Sequence, residues 1–304
     1  MDIYLPIAEV SVNALLIVGL GALVGFLSGM FGVGGGFLMT PFLIFYGIPP
    51  AVAVASSAPQ ITGASVSGAL AHWRRGGVDL KMGAVLTAGG ITGAGFGSGL
   101  FRLLQNIGQI DVTISIVYVI LLGTIGTMML REAASSLLYQ RLGRPRPTTR
   151  RRHNPLVASL PLRARFYRSG VYLSPLAPFL VGMAVGILTV IMGIGGGFII
   201  VPAMIYLLGM PASVVVGTSL FQIVFVTAAT TLLHAVNSQT VDIVLAVLLL
   251  LGGVVGAQLG ARAAQKLPGE QLRLALSVVV LAVAIRLFVG LTWRPDEIFT
   301  VYAS

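Results

Sequence analysis

Residues 32–41 read GVGGGFLMTP and residues 193–202 read GIGGGFIIVP. In both stretches four glycines, a phenylalanine and a proline stand at identical spacing. Each interrupts a long uncharged run, because no Asp, Glu, Lys, Arg or His occurs from Val10 to Ala71 or from Ser169 to Leu233. About 20 apolar residues make one helical crossing of a bilayer, so each run holds more than one. Glycine admits backbone conformations that other residues avoid and lets a ligand approach the main chain. A glycine cluster inside an apolar run therefore predicts a broken helix with free backbone groups at the break. Such breaks persist at membrane depth only where they are buried in protein or line a cavity. The two phrases mark the expected site for a solute.

The remaining composition agrees with a membrane chain. Of 304 residues, 56% are hydrophobic and only 9% charged, against about 25% charged in an ordinary soluble domain. The absence of cysteine excludes disulfides, thiolate metal ligands and cysteine nucleophiles. The first nine residues carry Asp2 and Glu9 but no basic residue. A signal peptide starts positive, so the first apolar segment reads as a retained span. The net charge of +10 is uneven, since ten of the nineteen Lys and Arg lie between Arg131 and Arg168. That excess reads as a cytoplasmic loop of a membrane protein, and no nucleic-acid partner is expected.

Outward from the first phrase, residues 10–31 form a first segment in which Gly21, Gly25 and Gly29 share one face, the spacing for close helix packing in lipid. A short apolar piece, residues 37–46, follows the phrase. Residues 51–73 read as a helix with a polar stripe of Ser56, Gln60, Gly63 and Ser67 at helical spacing, and Pro59 predicts a kink in it. Asp79 is a candidate N-cap for a third segment ending near Leu103 and carrying Gly89, Gly93 and Gly97. A fourth runs from Asp111 to Leu130. After the basic stretch the series restarts near Pro175. It continues with a short piece over 198–208, a helix over 212–235, a glycine ladder of Gly252, Gly256 and Gly260 after Asp242, and a last segment over 271–291. Pro49, Ser57, Gln60, His72 and Asp79 fall in register with Pro211, Ser219, Gln222, His234 and Asp242.

The expected fold is an all-α polytopic membrane protein of two homologous halves, each with four long helices plus a short half-helix after its glycine break. Residues 1–130 hold the first repeat, 131–174 an Arg-rich cytoplasmic loop, 175–292 the second repeat and 293–304 a tail. Two arrangements compete. If each break is a bend within one span, the halves are parallel; if the short pieces cross separately, the halves are inverted. With the basic loop in the cytoplasm, Arg74, Arg75 and Lys81 lie inside either way, but Arg262, Lys266 and Arg273 lie inside only under inversion, which the charge distribution therefore favours. An eleven-residue helix reaches only about 17 Å, so the short pieces read as half-helices meeting near the midplane, as in inverted-repeat transporters.

A helix N-terminus offers unpaired N–H groups and partial positive charge. The backbone at Gly32, Gly34, Gly35, Gly36 and Phe37, and at Gly193, Gly195, Gly196, Gly197 and Phe198, is thus the candidate site for a small inorganic or organic anion. Gln60 and Gln222 are neutral donors within apolar helices and can line the same site, with Ser57, Thr218 and Ser219 beside them. Each of these has a plainer alternative: glycines for tight packing, amides and hydroxyls for bonds between or within helices. His72 and His234 are candidates for a proton relay, against the simpler role of interfacial residues at helix ends. No catalytic residue, metal site or cofactor is indicated, and the absence of GxxxxGK[ST] argues against an ATP-driven pump. Lipid contact is implied throughout, and a homo-oligomer is compatible with the pattern.

The doubled GxGGGxxxxP phrase, with Gly217, Thr218 and Ser219 early in one polar helix and a histidine ending both, resembles the TauE/SafE family of membrane transporters. The likeness covers residues 10–130 and 175–292. It implies a secondary transporter that moves small sulfur-containing anions, such as sulfite and sulfonates, across the bacterial inner membrane, often outward. A passive anion channel of the same architecture, and a non-transporting membrane enzyme or scaffold, are the alternatives. A saturable, gradient-dependent flux separates transporter from channel, and a response to a panel of anions separates both from a scaffold.

Overall fold

The computed structural model describes residues 2–31, 36–141, 164–264 and 269–292. Gly32, Gly34 and Gly35 of the first phrase, the middle of the Arg-rich loop, Lys266 and the tail over 293–304 lie outside the described residues. The described part opens with a hairpin, β1 (Asp2–Leu5) and β2 (Val10–Asn13). Five helices follow: α1 (Ala14–Phe31), α2 (Gly36–Phe45), α3 (Pro50–Arg74), α4 (Leu80–Asn106) and α5 (Ile110–Arg141). A second hairpin, β3 (Ala164–Phe166) and β4 (Val171–Leu173), precedes α6 (Leu176–Met192), α7 (Gly197–Tyr206), α8 (Ala212–Leu233), α9 (Ile243–Ala264) and α10 (Gly269–Thr292). A π-turn, His234–Ser238, closes α8.

Among the described residues, five helical stretches are long and apolar enough to cross a membrane: Leu80–Asn106, Ile110–Ser135, Val214–Ser238, Ile243–Gly260 and Leu274–Thr292. The protein is a mostly helical, multi-pass membrane protein. The expectation of an all-α chain needs one correction, the two short hairpins. Their strands are three or four residues long, too brief for alternation to stand out beside apolar helices. Helix α5 also runs past Leu130 to Arg141; hydropathy falls there, but helical propensity does not. Helix α3 is continuous through Pro59.

Glycine sets the helix pairing. Gly21, Gly25 and Gly29 of α1 lie against Leu249, Gly253 and Ala257 of α9, and Gly252, Gly256 and Gly260 of α9 lie against Val18, Ala22 and Phe26 of α1. The positions ascend together, so α1 and α9 run in the same direction. A Cβ at Gly256 would stand 2.0 Å from the Ala22 carbonyl oxygen. Gly89, Gly93 and Gly97 of α4 meet Phe179, Met183 and Ile187 of α6 in the same way. At the centre α3 and α8 run antiparallel: Gly217, early in α8, touches His72, late in α3, while Ser56, early in α3, accepts from the Asp242 N–H beyond the end of α8.

Both hairpins cap helices. Asp79 accepts from the Met82 N–H at the start of α4 and from the Ser169 N–H and hydroxyl in the second hairpin. Asp242 accepts from the Leu245 N–H at the start of α9 and from the Ile7 N–H in the first hairpin. Both aspartates are thus N-caps, as their position just before an apolar run predicts. Tyr46, which follows α2, bonds to the Asn13 N–H before α1, so α2 doubles back along α1.

Substituting Gly256 by Leu forces α1 and α9 apart. It is expected to cost at least the ~1–3 kcal/mol of an overpacked contact, read as a lower melting temperature of the protein in detergent. Gly19→Ala, which meets nothing within 4 Å, should leave that temperature unchanged or raised.

Candidate functional site

The short helices begin face to face. Phe37, second in α2, stacks on Phe198, second in α7, with ring centroids 4.6 Å apart and planes 12° apart. A Cβ on Gly36 would stand 2.7 Å from the carbonyl oxygens of both Gly193 and Ile194. The two breaks therefore touch in the interior, with both phenylalanines buried.

At the second break the chain passes through positive φ at Gly193 (66°), Gly195 (71°) and Gly196 (79°), values that L side chains resist. Space is equally restrictive: a Cβ on Gly196 would lie 2.4 Å from Val185 Cγ1. The Ile199 and Ile200 N–H groups donate to the Gly196 carbonyl and start α7. Among the described residues nothing accepts from the N–H groups of Gly195, Gly196, Gly197 or Phe198, and all four residues are buried. Buried donors without partners are rare in folded proteins and call for an explanation.

The glutamines add further unpaired atoms. Gln222 is fully buried, and neither its Oε1 nor its Nε2 has a partner among the described residues; Gln60 Oε1 is in the same condition. Each amide lies on a glycine of a neighbouring helix. A Cβ on Gly253 of α9 would stand 2.3 Å from Gln60 Nε2, and one on Gly90 of α4 would stand 2.9 Å from Gln222 Nε2. Gly90 also carries the carbonyl against which Gly186 of α6 packs, so Gln222 sits where α4, α6 and α8 converge. Thr62 of α3 and Thr227 of α8 share a hydroxyl bond of 2.7 Å across the two helices that carry these amides.

The structure brings together Gly36, Phe37, Ser57, Gly193, Gly195, Gly196, Gly197 and Phe198. Ser57 Oγ lies 3.3 Å from the Gly193 carbonyl and 3.1 Å from Thr40 Oγ1. Thr218 lies one turn from Gln222 towards the start of α8, donating to the Val214 carbonyl and accepting from the Asp79 N–H. The Ser219 hydroxyl donates to the Val216 carbonyl. The two histidines sit at opposite ends of the bundle. His72 is half-buried beside Gly217. His234 is buried, its ring edge-on to Phe101, with Nε2 3.0 Å from the Val190 carbonyl and Nδ1 3.1 Å from Ser238 Oγ.

Two residues at the second break were passed over in the sequence. Tyr118 of α5 is buried and donates its hydroxyl to the Met192 carbonyl. Thr40, within the first phrase, bonds Ser57. The available signal was a tyrosine midway along an otherwise apolar span, since a buried tyrosine hydroxyl needs a partner. Removing it by Tyr118→Phe leaves the Met192 carbonyl without that donor and is expected to cost ~1–3 kcal/mol, measured by unfolding of the detergent-solubilised protein.

Comparison with known proteins points to membrane transporters. The family model described as "Sulfite exporter TauE/SafE" matches residues 17–287. The chain is 28% identical over 268 residues to the "Probable membrane transporter protein YjnA" of Bacillus subtilis (strain 168), covering 88% of this chain and 97% of that one. It is 30% identical over 277 residues to a "Probable membrane transporter protein" of Xylella fastidiosa (strain Temecula1 / ATCC 700964), covering 90% and 94%. It is 27% identical to the "Probable membrane transporter protein YunE" of Bacillus subtilis over 280 residues, covering 90% and 96%. No solved structure matches the chain.

Proposed function

The chain belongs to the sulfite exporter TauE/SafE family, and on that premise we propose that this membrane transporter carries a small sulfur oxyanion or organosulfonate outward across the bacterial inner membrane. The observation that carries the reading is the set of four buried N–H groups, from Gly195 to Phe198, that lack acceptors among the described residues at the start of α7. The start of α2 faces them through the Phe37–Phe198 stack. Each helix start carries about half a positive charge. Two such ends in contact repel one another unless negative charge lies between them. An oxyanion relieves that repulsion and accepts from the free amides. The neutral amides of Gln60 and Gln222 add donors without adding a titratable charge. Gly32, Gly34 and Gly35, candidates for the same site by sequence, lie outside the described residues.

In this reading α1–α5 and α6–α10 are inverted repeats. The pairings support it: α1 with α9 and α4 with α6, each running the same way, and α3 antiparallel to α8. So does charge, because Arg74, Arg75, Lys81, Arg168 and Arg262 fall at one end of the bundle, the cytoplasmic one by the positive-inside rule. The hairpins of α1 with α2 and of α6 with α7 enter from opposite faces and meet at the anion. Rocking of one half against the other then opens the site to each face in turn. His72 and His234, at opposite ends of the bundle, are the candidates for passing a coupling proton.

Gly196→Leu, and Gly35→Leu at the equivalent position, are expected to abolish flux of labelled sulfite or sulfonate in proteoliposomes while leaving an inserted protein. Gln222→Leu removes a hydrogen bond to a charged group, worth ~1.5–3 kcal/mol, and should weaken substrate affinity by about 10- to 150-fold. Flux that survives both glycine changes places the site elsewhere.

A further inference from the structure

We propose that the groove between the second hairpin and the start of α4 is a binding site for an anionic phospholipid, its phosphate held by Lys81 and Arg165 and an acyl chain lying along α4 and α6. The groove encloses about 530 Å³ and is lined by Lys81, Ala84, Val85, Arg165, Phe166 and Tyr167, with Pro175 at its edge. Among the described residues its charged groups are both cations, and no carboxylate lines it. Lys81 Nζ stands 5.4 Å from the centre of the Tyr167 ring, so the ammonium is held at the mouth. Tyr167 is 76% exposed, the placement of an amphipathic ring at headgroup level.

Below the cations the wall is apolar. Ala84, Ala88 and Ile91 follow one exposed face of α4 towards the bilayer centre, and Leu176 and Leu180 of the adjoining α6 are exposed beside them. A free anion has no use for that track, whereas a phospholipid fills both parts. Basic pockets between spans on the cytoplasmic side suit anionic headgroups.

The opposite end of the molecule supplies the contrast. The first hairpin has the same four-residue loop but carries Tyr4 and Pro6 where the second carries Arg165 and Tyr167, counting from the strand ends. Helix α9 carries Val244 two residues after Asp242, where α4 carries Lys81 two residues after Asp79. The cationic groove therefore exists at the basic end alone of these two equivalent places.

The test is thermal unfolding of the full chain, purified in a neutral detergent, with added phosphatidylglycerol, phosphatidylcholine or inorganic phosphate. Phosphatidylglycerol is expected to raise the melting temperature by several degrees, and the other two to leave it unchanged. The Lys81→Gln/Arg165→Gln double variant should lose that rise, while Arg102→Gln, at the other end of α4, should keep it. A double variant that keeps the rise overturns the proposal. An equal rise with phosphatidylcholine, or with inorganic phosphate alone, also overturns it, the latter assigning the cations to a free anion. Should the double variant fail to fold, Ala84→Trp fills the groove from a lipid-exposed position. It must abolish the rise, and a rise that persists sinks the idea.

Discussion

A backbone N–H or C=O left unpaired in hydrocarbon costs several kcal/mol, and this chain breaks two helices well inside its apolar runs. The breaks can exist only where protein surrounds them. Packing them against each other meets that demand for both at once, and Gly36 against the Gly193 and Ile194 carbonyls is the contact that does so. The rest of the bundle serves to enclose that contact. Helix α1 is 18 residues long and α2 only ten, about 27 and 15 Å. Neither shields a break alone, so α3 and α8 cross behind the pair and the long helices α5 and α10 close the outside.

Enclosing two breaks requires helices that approach closely yet cannot slide. The glycine ladders provide approach, bringing α1 onto α9 and α4 onto α6 at distances that leave no room for a methyl group. The aspartate caps provide register. Asp79 joins the start of α4 to the second hairpin, and its own N–H reaches Thr218 of α8. Asp242 joins the start of α9 to the first hairpin, and its N–H reaches Ser56 of α3. Each cap therefore ties one end of the central α3–α8 pair to a flanking helix. A shift by one turn breaks several buried bonds together, because both carboxylates are almost wholly enclosed.

What the sequence made legible follows from which signals are local. Glycine spacing, long uncharged runs and Asp before an apolar stretch are local, and they located the helices, the ladders and both caps. The two breaks were legible for the same reason, and the repeated phrase placed them as partners. The hairpins were not legible, since strands of three residues carry no period to read. Thr218 was grouped with Gln222 by helical spacing, yet its hydroxyl is engaged with Asp79, a contact 139 residues away in sequence. The role of Tyr118 was hidden for a like reason: its partner, the Met192 carbonyl, lies on another helix. Long-range pairing is what a periodicity argument cannot supply.

The two breaks are alike in sequence, and polar side chains support the second. Around the second, Tyr118 holds the Met192 carbonyl, and Ser57, backed by Thr40, lies against the Gly193 carbonyl. Tyr118 thus fixes the Met192 carbonyl, while the Ser57 hydroxyl is shared between the Val54 and Gly193 carbonyls. Carbonyls and amides of a left-handed glycine turn point to opposite sides, so holding the first set aims the second. Among the described residues, the amides without an acceptor follow the carbonyls that are held. In the proposed transporter this makes the start of α7 the preorganised wall of the anion site.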